Sequence, residues 1–241
     1  MKQAVILLFV CVFVAGKLPS EFKRCKREIK NFKACLKDAI EDAFPKLDNG
    51  IPSLKLPPLE PLSIPRITIG EGKSPTVLTY TNYKLYGVRA TKIKEIDVNF
   101  TSTTFGLRLE TFTPETRTEA HYNVKGTTLA LPIEGDGNCT VILYDLKTKL
   151  SIQGDTFEKE GKKYLKVKEF TIDLTPGKVT YNFANLFNGN ERLGQEMNRL
   201  LNENWKEIYD EVDDDFNQAL QIVFQDYANK IFTQVPYDEL F

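Results

Sequence analysis

The chain of 241 residues holds one histidine, one tryptophan, two methionines and four cysteines. One histidine cannot build a multi-histidine metal site. No Gly-x-Ser-x-Gly elbow, Walker loop, dinucleotide fingerprint or His-Glu-x-x-His stretch occurs either. His121 shares its strand face with Glu119, Asn123 and Lys125, opposite an apolar face, so it is read as solvated. Asp213-Asp214-Asp215 falls on three successive helix positions that point in different directions, which is a solvated face rather than a cation site. A hydrolase needs a nucleophile beside a base, and that pairing is missing. The expectation is a protein that is not an enzyme and uses no metal or cofactor. An excess of charge of one sign is missing too: the net charge of −1 provides no field to draw the chain onto nucleic acid or an anionic membrane. A hydrophobic share of 41% with 27% charged and 11% aromatic residues excludes the disordered, collagen and coiled-coil classes and implies a buried core.

A long apolar run is likewise absent. The N-terminal one, Ala4 to Ala15, is too short to span a bilayer. With Lys2 before it and the small residues Ala15 and Gly16 at its end, it reads as a secretory signal peptide over residues 1–16, leaving a single mature domain over 17–241. Cleavage removes one lysine and leaves a mature net charge of −2. Export places the remaining cysteines, Cys25, Cys35 and Cys139, in an oxidising compartment. On one continuous helix Cys25 and Cys35 would stand about 15 Å apart, beyond disulfide reach. If they pair, a helix must begin between them. Asn31 is a suitable N-cap, followed by Phe32, Leu36, Ala39, Ile40 and Phe44 at helical spacing and by Pro45 as the stop. Cys139 is left over, so a Cys139-linked dimer stands beside the expected monomer. Asn99-Phe100-Thr101 and Asn138-Cys139-Thr140 are sequons, making Asn99 and Asn138 candidate glycosylation sites.

From Pro45 to Pro75 seven prolines interleave with Ile51, Leu54, Leu56, Leu59, Leu62, Ile64, Ile67 and Ile69. Proline removes backbone donors while the aliphatic residues require burial, so this is an extended segment laid on the core and not a flexible linker. Residues 76–185 read as an antiparallel meander, with turns at Gly87, Gly106, Gly135-Asp136-Gly137, Gly154-Asp155, Glu160-Gly161 and Pro176-Gly177. Phe105, Leu107 and Leu109 share a face, as do Ala120, Tyr122 and Val124, and as do Ile142, Tyr144, Leu146, Leu150 and Ile152. The alternation shifts near Gly126, which predicts a bulge or bend there and a sheet able to curl. Between Asn190 and Thr233 there is no proline, and Leu193, Met197, Leu200, Leu201, Trp205, Ile208, Val212, Phe216, Leu220, Val223, Tyr227 and Ile231 recur at steps of three and four. This predicts one amphipathic helix of about 60 Å, with Arg199, Glu203, Lys206, Glu207, Asp210, Asp213, Asp214 and Gln221 on its wet face. A compact sphere of this length is only about 45 Å across, so the molecule is expected to be elongated.

Cys25 and Cys35 followed by Leu36-Lys37-Asp38-Ala39-Ile40, the segment FPKLDNGIPSLKLPPLEPLSIPRITI, and NLFNGNERLGQEMNRLLNENWKEI with the terminal Glu239-Leu240-Phe241 together resemble the insect takeout and juvenile-hormone-binding-protein family across nearly the whole mature chain. The resemblance implies an α+β fold, a tubular lipid-binding roll. In it a long C-terminal helix is wrapped by a strongly curved antiparallel sheet around an apolar tunnel. It also implies a Cys25–Cys35 disulfide and a carrier secreted into haemolymph or another extracellular fluid. Its partner would be a small hydrophobic ligand, fatty-acid-like or terpenoid and similar to juvenile hormone. The hormone carriers have a second disulfide for which this chain lacks the cysteine, so the likeness is nearer to takeout.

Candidate tunnel residues are Phe32, Leu36, Ile40 and Phe44 on the first helix and Ile64 and Ile67 in the proline segment. On the sheet they are Leu107, Tyr122, Leu131 and Tyr144, and on the long helix Met197, Leu201, Trp205 and Ile208. Tyrosines in such a wall, including Tyr80 and Tyr86, can offer a hydroxyl to a ligand while the ring packs. The competing class is an extracellular interaction or signalling protein of the same fold, acting through an exposed apolar surface without a transported ligand. Neither class inserts into a membrane.

Overall fold

The computed structural model describes residues 17–72 and 75–241. The expected signal peptide, residues 1–16, lies outside them. Helix α1 (Phe32–Lys46) opens the fold and is tied to the preceding segment by the Cys25–Cys35 disulfide. The proline-rich segment passes through a 3-10 turn at Pro52–Leu54 into β1 (Leu62–Ile69), burying Ile51, Leu54, Leu56, Leu59, Leu62, Ile64, Ile67 and Ile69. There follow β2 (Val77–Tyr86), β3 (Lys92–Phe100), β4 (Thr104–Thr128), β5 (Leu131–Lys159), β6 (Lys162–Thr175) and β7 (Lys178–Phe183). Three helices, α2 (Glu191–Glu203), α3 (Trp205–Asp210) and α4 (Asp213–Phe232), and a terminal turn of helix, α5 (Tyr237–Leu240), complete the chain.

Among the described residues the seven strands make one antiparallel sheet in which β1-β2-β4-β5-β6 lie in order, β3 adds to β4 and β7 adds to β5. The β4–β5 hairpin is its spine, holding one register from Thr104↔Asp155 to Thr128↔Leu131. Midway, Pro114 and Asp145 face each other between the pairs Thr113↔Leu146 and Glu115↔Tyr144. Pro114 has no N–H to give the ladder, and Asp145 adopts the left-handed φ of 49°. Both strands change their inward parity at this point. Thr111 and Thr113 are buried before it on β4 and Thr116 and Thr118 after it, while on β5 Val141 and Leu143 give way to Leu146 and Thr148. The neighbours change at the same level: β3 pairs with β4 up to Phe112 and β2 from Arg117, while β7 pairs with β5 up to Tyr144 and β6 from Lys147. The spine therefore carries two sheet halves turned about a common kink, and their concave faces form one roll.

The kink corrects the expected strand faces. Ile142 and Tyr144 do not continue the inward row of Leu146 and Ile152; Val141 and Leu143 do. The bulge or bend expected near Gly126 is not there, because β4 and β5 stay in register through Gly126↔Ile133 to Thr128↔Leu131. The chain reverses at Leu129 and Ala130, which take φ of 48° and 60° in the tight turn between β4 and β5. Gly106, Gly135, Gly137 and Gly154, expected at turns, lie inside strands β4 and β5. Their glycines answer crowding instead: a Cβ on Gly137 would stand 2.5 Å from the Ala184 carbonyl oxygen, and one on Gly135 would stand 2.6 Å from the Tyr122 hydroxyl. Pro45 does not stop α1, since it sits in the last turn and the helix closes after Lys46 with Leu47 N–H on Ala43 O at 3.1 Å.

The expected single long helix is broken at Asn204 and at Glu211–Val212. At the first break Asn204 gives both its backbone N–H and its side-chain amide to Leu200 O, at 3.0 and 2.8 Å. The breaks separate residues that serve different strand edges. On α2, Asn198 and Asn202 engage the backbone of Phe183 and Tyr181 on β7, and on α4 Asn229 engages Val167 on β6. Gln221, expected on the wet face, donates instead to Ile172 O at 3.3 Å. These helices lie along the free edges of the sheet as well as against its concave face, and so close the roll.

Candidate ligand-binding site

A cavity of about 310 Å³ lies between the concave sheet and helices α1 and α4. From α1 come Ile40 and Phe44, and from α4 come Phe216, Leu220, Phe224, Ala228 and Ile231. The sheet contributes Leu107 and Leu109 of β4, Leu143, Leu146, Leu150 and Ile152 of β5, and Phe170, Ile172 and Leu174 of β6. Its volume is at the lower end of the range for small-molecule sites.

The wall also carries Thr91, Thr111, Thr113, Thr116, Thr118 and Thr148. Threonine suits a strand and presents a methyl group when its hydroxyl is engaged elsewhere. Thr91 and Thr113 share a hydrogen bond at 2.8 Å, and Tyr83 and Thr118 share another at 2.8 Å. Tyr227 donates to Pro57 O at 3.2 Å. Burial holds the Tyr83 and Tyr227 phenols protonated, well above the usual tyrosine range. With the hydroxyls of Thr91, Thr113, Thr118, Tyr83 and Tyr227 engaged, the cavity offers a mainly apolar surface and no charged group.

One end of the roll is closed by rings. Phe100 stands within 5.7 Å of Phe32, 5.4 Å of Phe105 and 5.2 Å of Phe241, measured between ring centres. Arg27 covers Tyr237 at 4.6 Å and donates to its hydroxyl at 3.1 Å. The segment carrying Cys25 thus holds the C-terminus in place. Two further grooves, of about 370 and 390 Å³, involve Asp97, Arg108, Lys149, Lys168 and Asp173, and their charge sets them apart from the apolar cavity.

The sequence candidates are distributed unevenly. Ile40, Phe44 and Leu107 line the main cavity, and Leu201 and Ile208 line a smaller one of about 70 Å³ toward β7. Leu36, Ile64, Ile67 and Met197 are buried in the surrounding core. Phe32 belongs to the ring cluster, and Trp205 packs half-buried on the core. Tyr122 is fully buried and spends its hydroxyl on Ala184 O at 2.7 Å. Leu131 is 44% exposed just after the β4–β5 turn, and Tyr144 lies beyond the inward row on β5. Sequence reasoning passed over the α4 residues although their period was visible, because it placed the site at the start of the helical stretch.

Cys139 is buried at 4% exposure, and burial pushes its thiol up to about 12. A disulfide-linked dimer through Cys139 is therefore closed to the folded chain. His121 is exposed and stands 3.0 Å from Asp136. No cluster of metal-ligating side chains occurs among the described residues. No helix among them is long and apolar enough to cross a membrane.

A curved antiparallel sheet rolled on C-terminal helices around an apolar cavity defines an α+β hydrophobic-ligand-binding roll. The crystal structure of Takeout 1 from Epiphyas postvittana superposes with a TM-score of 0.78 at 23% identity, covering 86% of this chain and 94% of that one. The circadian clock-controlled protein daywake of Drosophila melanogaster is 29% identical over 231 residues, 92% of this chain and 88% of its own. Its Drosophila yakuba counterpart is 28% identical over 232 residues, with the same coverage. The model of the haemolymph juvenile hormone binding protein family matches residues 4–241, and the chain belongs to that family. Membership implies the binding of hydrophobic ligands, in a family of binding and carrier proteins rather than enzymes.

Proposed function

We propose that the protein is a secreted carrier that holds one small hydrophobic molecule, an acyl chain or a terpenoid, in the cavity between the sheet and α4. The observation that supports this most strongly is the apolar space of about 310 Å³ whose wall carries no charged group and whose Thr91, Thr113, Tyr83 and Thr118 hydroxyls are paired among themselves. Each methylene moved from water into such a site contributes about 0.8 kcal/mol, so a ligand with many apolar carbons retains several kcal/mol after ordering costs. No chemistry is required of the wall. Extracellular delivery accords with the Cys25–Cys35 disulfide, with a signal peptide over residues 1–16, and with Asn99 and Asn138, both exposed and open to glycosylation. Helix α1 acts as the cover, being a wall of the cavity tethered at its start by the disulfide.

Displacement of a fluorescent fatty probe by a panel of acyl and terpenoid compounds tests the reading. Saturable displacement at one site per chain is the expected result. An absence of probe uptake, with the fold intact by circular dichroism, contradicts it. The interaction-protein reading gains little support, because Ile29, Val77, Leu131, Leu193 and Ile222, the exposed large apolar side chains among the described residues, are spread over the N-terminal segment, β2, β5, α2 and α4.

A further inference from the structure

Three cavities lie in a row inside the roll. The main cavity and a middle one of about 40 Å³ share Tyr83, Thr118, Leu143 and Phe216 as walls. The middle cavity and the far one of about 70 Å³ share Ile69, Tyr80, Tyr181 and Val212. Neither small cavity holds a ligand of ordinary size by itself. Each has room for a ligand's end group.

Tyr181 stands between the two small cavities. It is 8% exposed, and its hydroxyl has no hydrogen-bond partner among the described residues. Its backbone is fully engaged, since Asn202 accepts from Tyr181 N–H at 2.9 Å and donates to Tyr181 O at 2.8 Å. Its ring stacks on Phe183 at 6.3 Å between centres. Four other buried tyrosines of the roll have partners: Tyr83 bonds to Thr118, Tyr122 to Ala184 O, Tyr209 to Leu174 O and Tyr227 to Pro57 O. An unpaired hydroxyl in an apolar interior is a standing cost that a partner removes. Burial, with Asp210 adding to it, keeps the phenol protonated and therefore a donor. No residue lining either small cavity is basic, and the one acidic residue, Glu211, accepts from the Thr128 hydroxyl at 3.2 Å.

We propose that the middle and far cavities are the polar-end subsite of the tunnel, where Tyr181 Oη donates a hydrogen bond to an uncharged oxygen acceptor at the end of a ligand whose apolar chain fills the main cavity. The inference rests on the carrier reading and adds the ligand's end group: a ketone, ester or ether oxygen, and not an ionised carboxylate, for which no cation is available. The chain reaches the subsite by displacing the Phe216 ring, which stands 6.2 Å from that of Tyr83 in the first turn of α4, just beyond the α3–α4 break.

The test compares the whole protein with Tyr181→Phe for binding of a long-chain methyl ketone, the n-alkane of equal length and the corresponding carboxylate, each by displacement of a fluorescent probe. The wild type is expected to prefer the ketone to the alkane by roughly five- to tenfold, the size of one buried hydrogen bond, and to bind the carboxylate more weakly than the ketone. Tyr181→Phe is expected to erase the ketone preference without lowering the melting temperature of the empty protein, since no bond of the empty fold is lost. Tyr122→Phe, which does lose a bond, melts lower and keeps the preference. A ketone preference that survives in Tyr181→Phe, or a wild type that binds ketone and alkane alike, overturns the subsite and leaves the carrier reading standing. A wild type that binds none of the three removes the carrier reading and the subsite together.

Discussion

Asn198 treats Phe183 as a neighbouring strand would. Its Oδ1 accepts from Phe183 N–H at 2.8 Å, and its Nδ2 donates to Phe183 O at 2.9 Å. One turn on, Asn202 repeats the pairing with Tyr181. The repeat works because positions i and i+4 on a helix advance about 6.0 Å while two strand residues advance about 6.6 Å. On the opposite edge Asn229 accepts from Val167 N–H at 2.8 Å and donates to Val167 O at 3.2 Å. Helical amides thus satisfy strand groups that an open edge leaves unpaired and available to other chains.

Asn198→Leu and Asn202→Leu are therefore expected to cost about 1–3 kcal/mol each, the range for leaving buried backbone groups unsatisfied. Urea unfolding monitored by circular dichroism measures it. Together the two changes expose the β7 edge, and concentration-dependent association by analytical ultracentrifugation is the second expected sign. Wild-type stability in both single variants would show that water replaces the amides at no cost.

Ala228 on α4 faces the main cavity and is only half-buried. Ala228→Phe is expected to place its ring in that space, reducing probe uptake at least about tenfold while the melting temperature changes little, because the added volume fills a void and does not overpack the core. Full uptake by this variant would place the ligand elsewhere.

Helix α1 is held at one end by a disulfide that closes a ten-residue separation. Loop-closure entropy puts its contribution at about 2–3 kcal/mol. Cys25→Ser with Cys35→Ser is expected to lower global stability by that order and to speed amide exchange through residues 32–46. Ligand is expected to slow exchange over the same residues. Exchange there that ignores ligand would mean that α1 is not the cover.

Alkaline pH offers a fourth probe. Burial raises the phenol pKa of Tyr80, Tyr83, Tyr181, Tyr209 and Tyr227, and brings that of Tyr122 to about 12. The unfolded chain ionises tyrosine near 10. With the folded values raised, the contribution of these groups is fully present below about pH 10 and is withdrawn as pH climbs through the folded values. Stability should fall steeply above about pH 10, and the phenolate absorbance of these residues should rise together with unfolding. Free titration of most tyrosines in the folded protein would contradict their burial.

Much of the architecture could be read from the residues. The helical period of α1 and of the C-terminal stretch, the aliphatic residues among the prolines, and the alternation in β4 up to Leu109 each follow from burying one side of an element. The family resemblance added the roll, which local patterns do not specify. What stayed hidden depends on contacts between distant segments. The opposition of Pro114 to Asp145 exists only once β4 and β5 are in register. Gly137 looked like a turn because the nearby Ala184 carbonyl lies far along the chain. Gln221 is expected on the wet face, and the roles of Asn198 and Asn202 give no signal, because a helical wheel cannot show a strand edge. Threonines counted as polar in the pattern, so the wall from Thr111 to Thr118 gave no apolar signal.

The central claim is that the roll holds a hydrophobic molecule. Native mass spectrometry of the protein recovered from a secreting cell, followed by organic extraction and identification of what it carried, tests that claim most directly. The account expects an added mass near one equivalent, yielding a chain or terpenoid with an uncharged oxygen at one end. A chain at its bare mass that also refuses lipid probes in solution would mean that the cavity is unused, and would contradict the account.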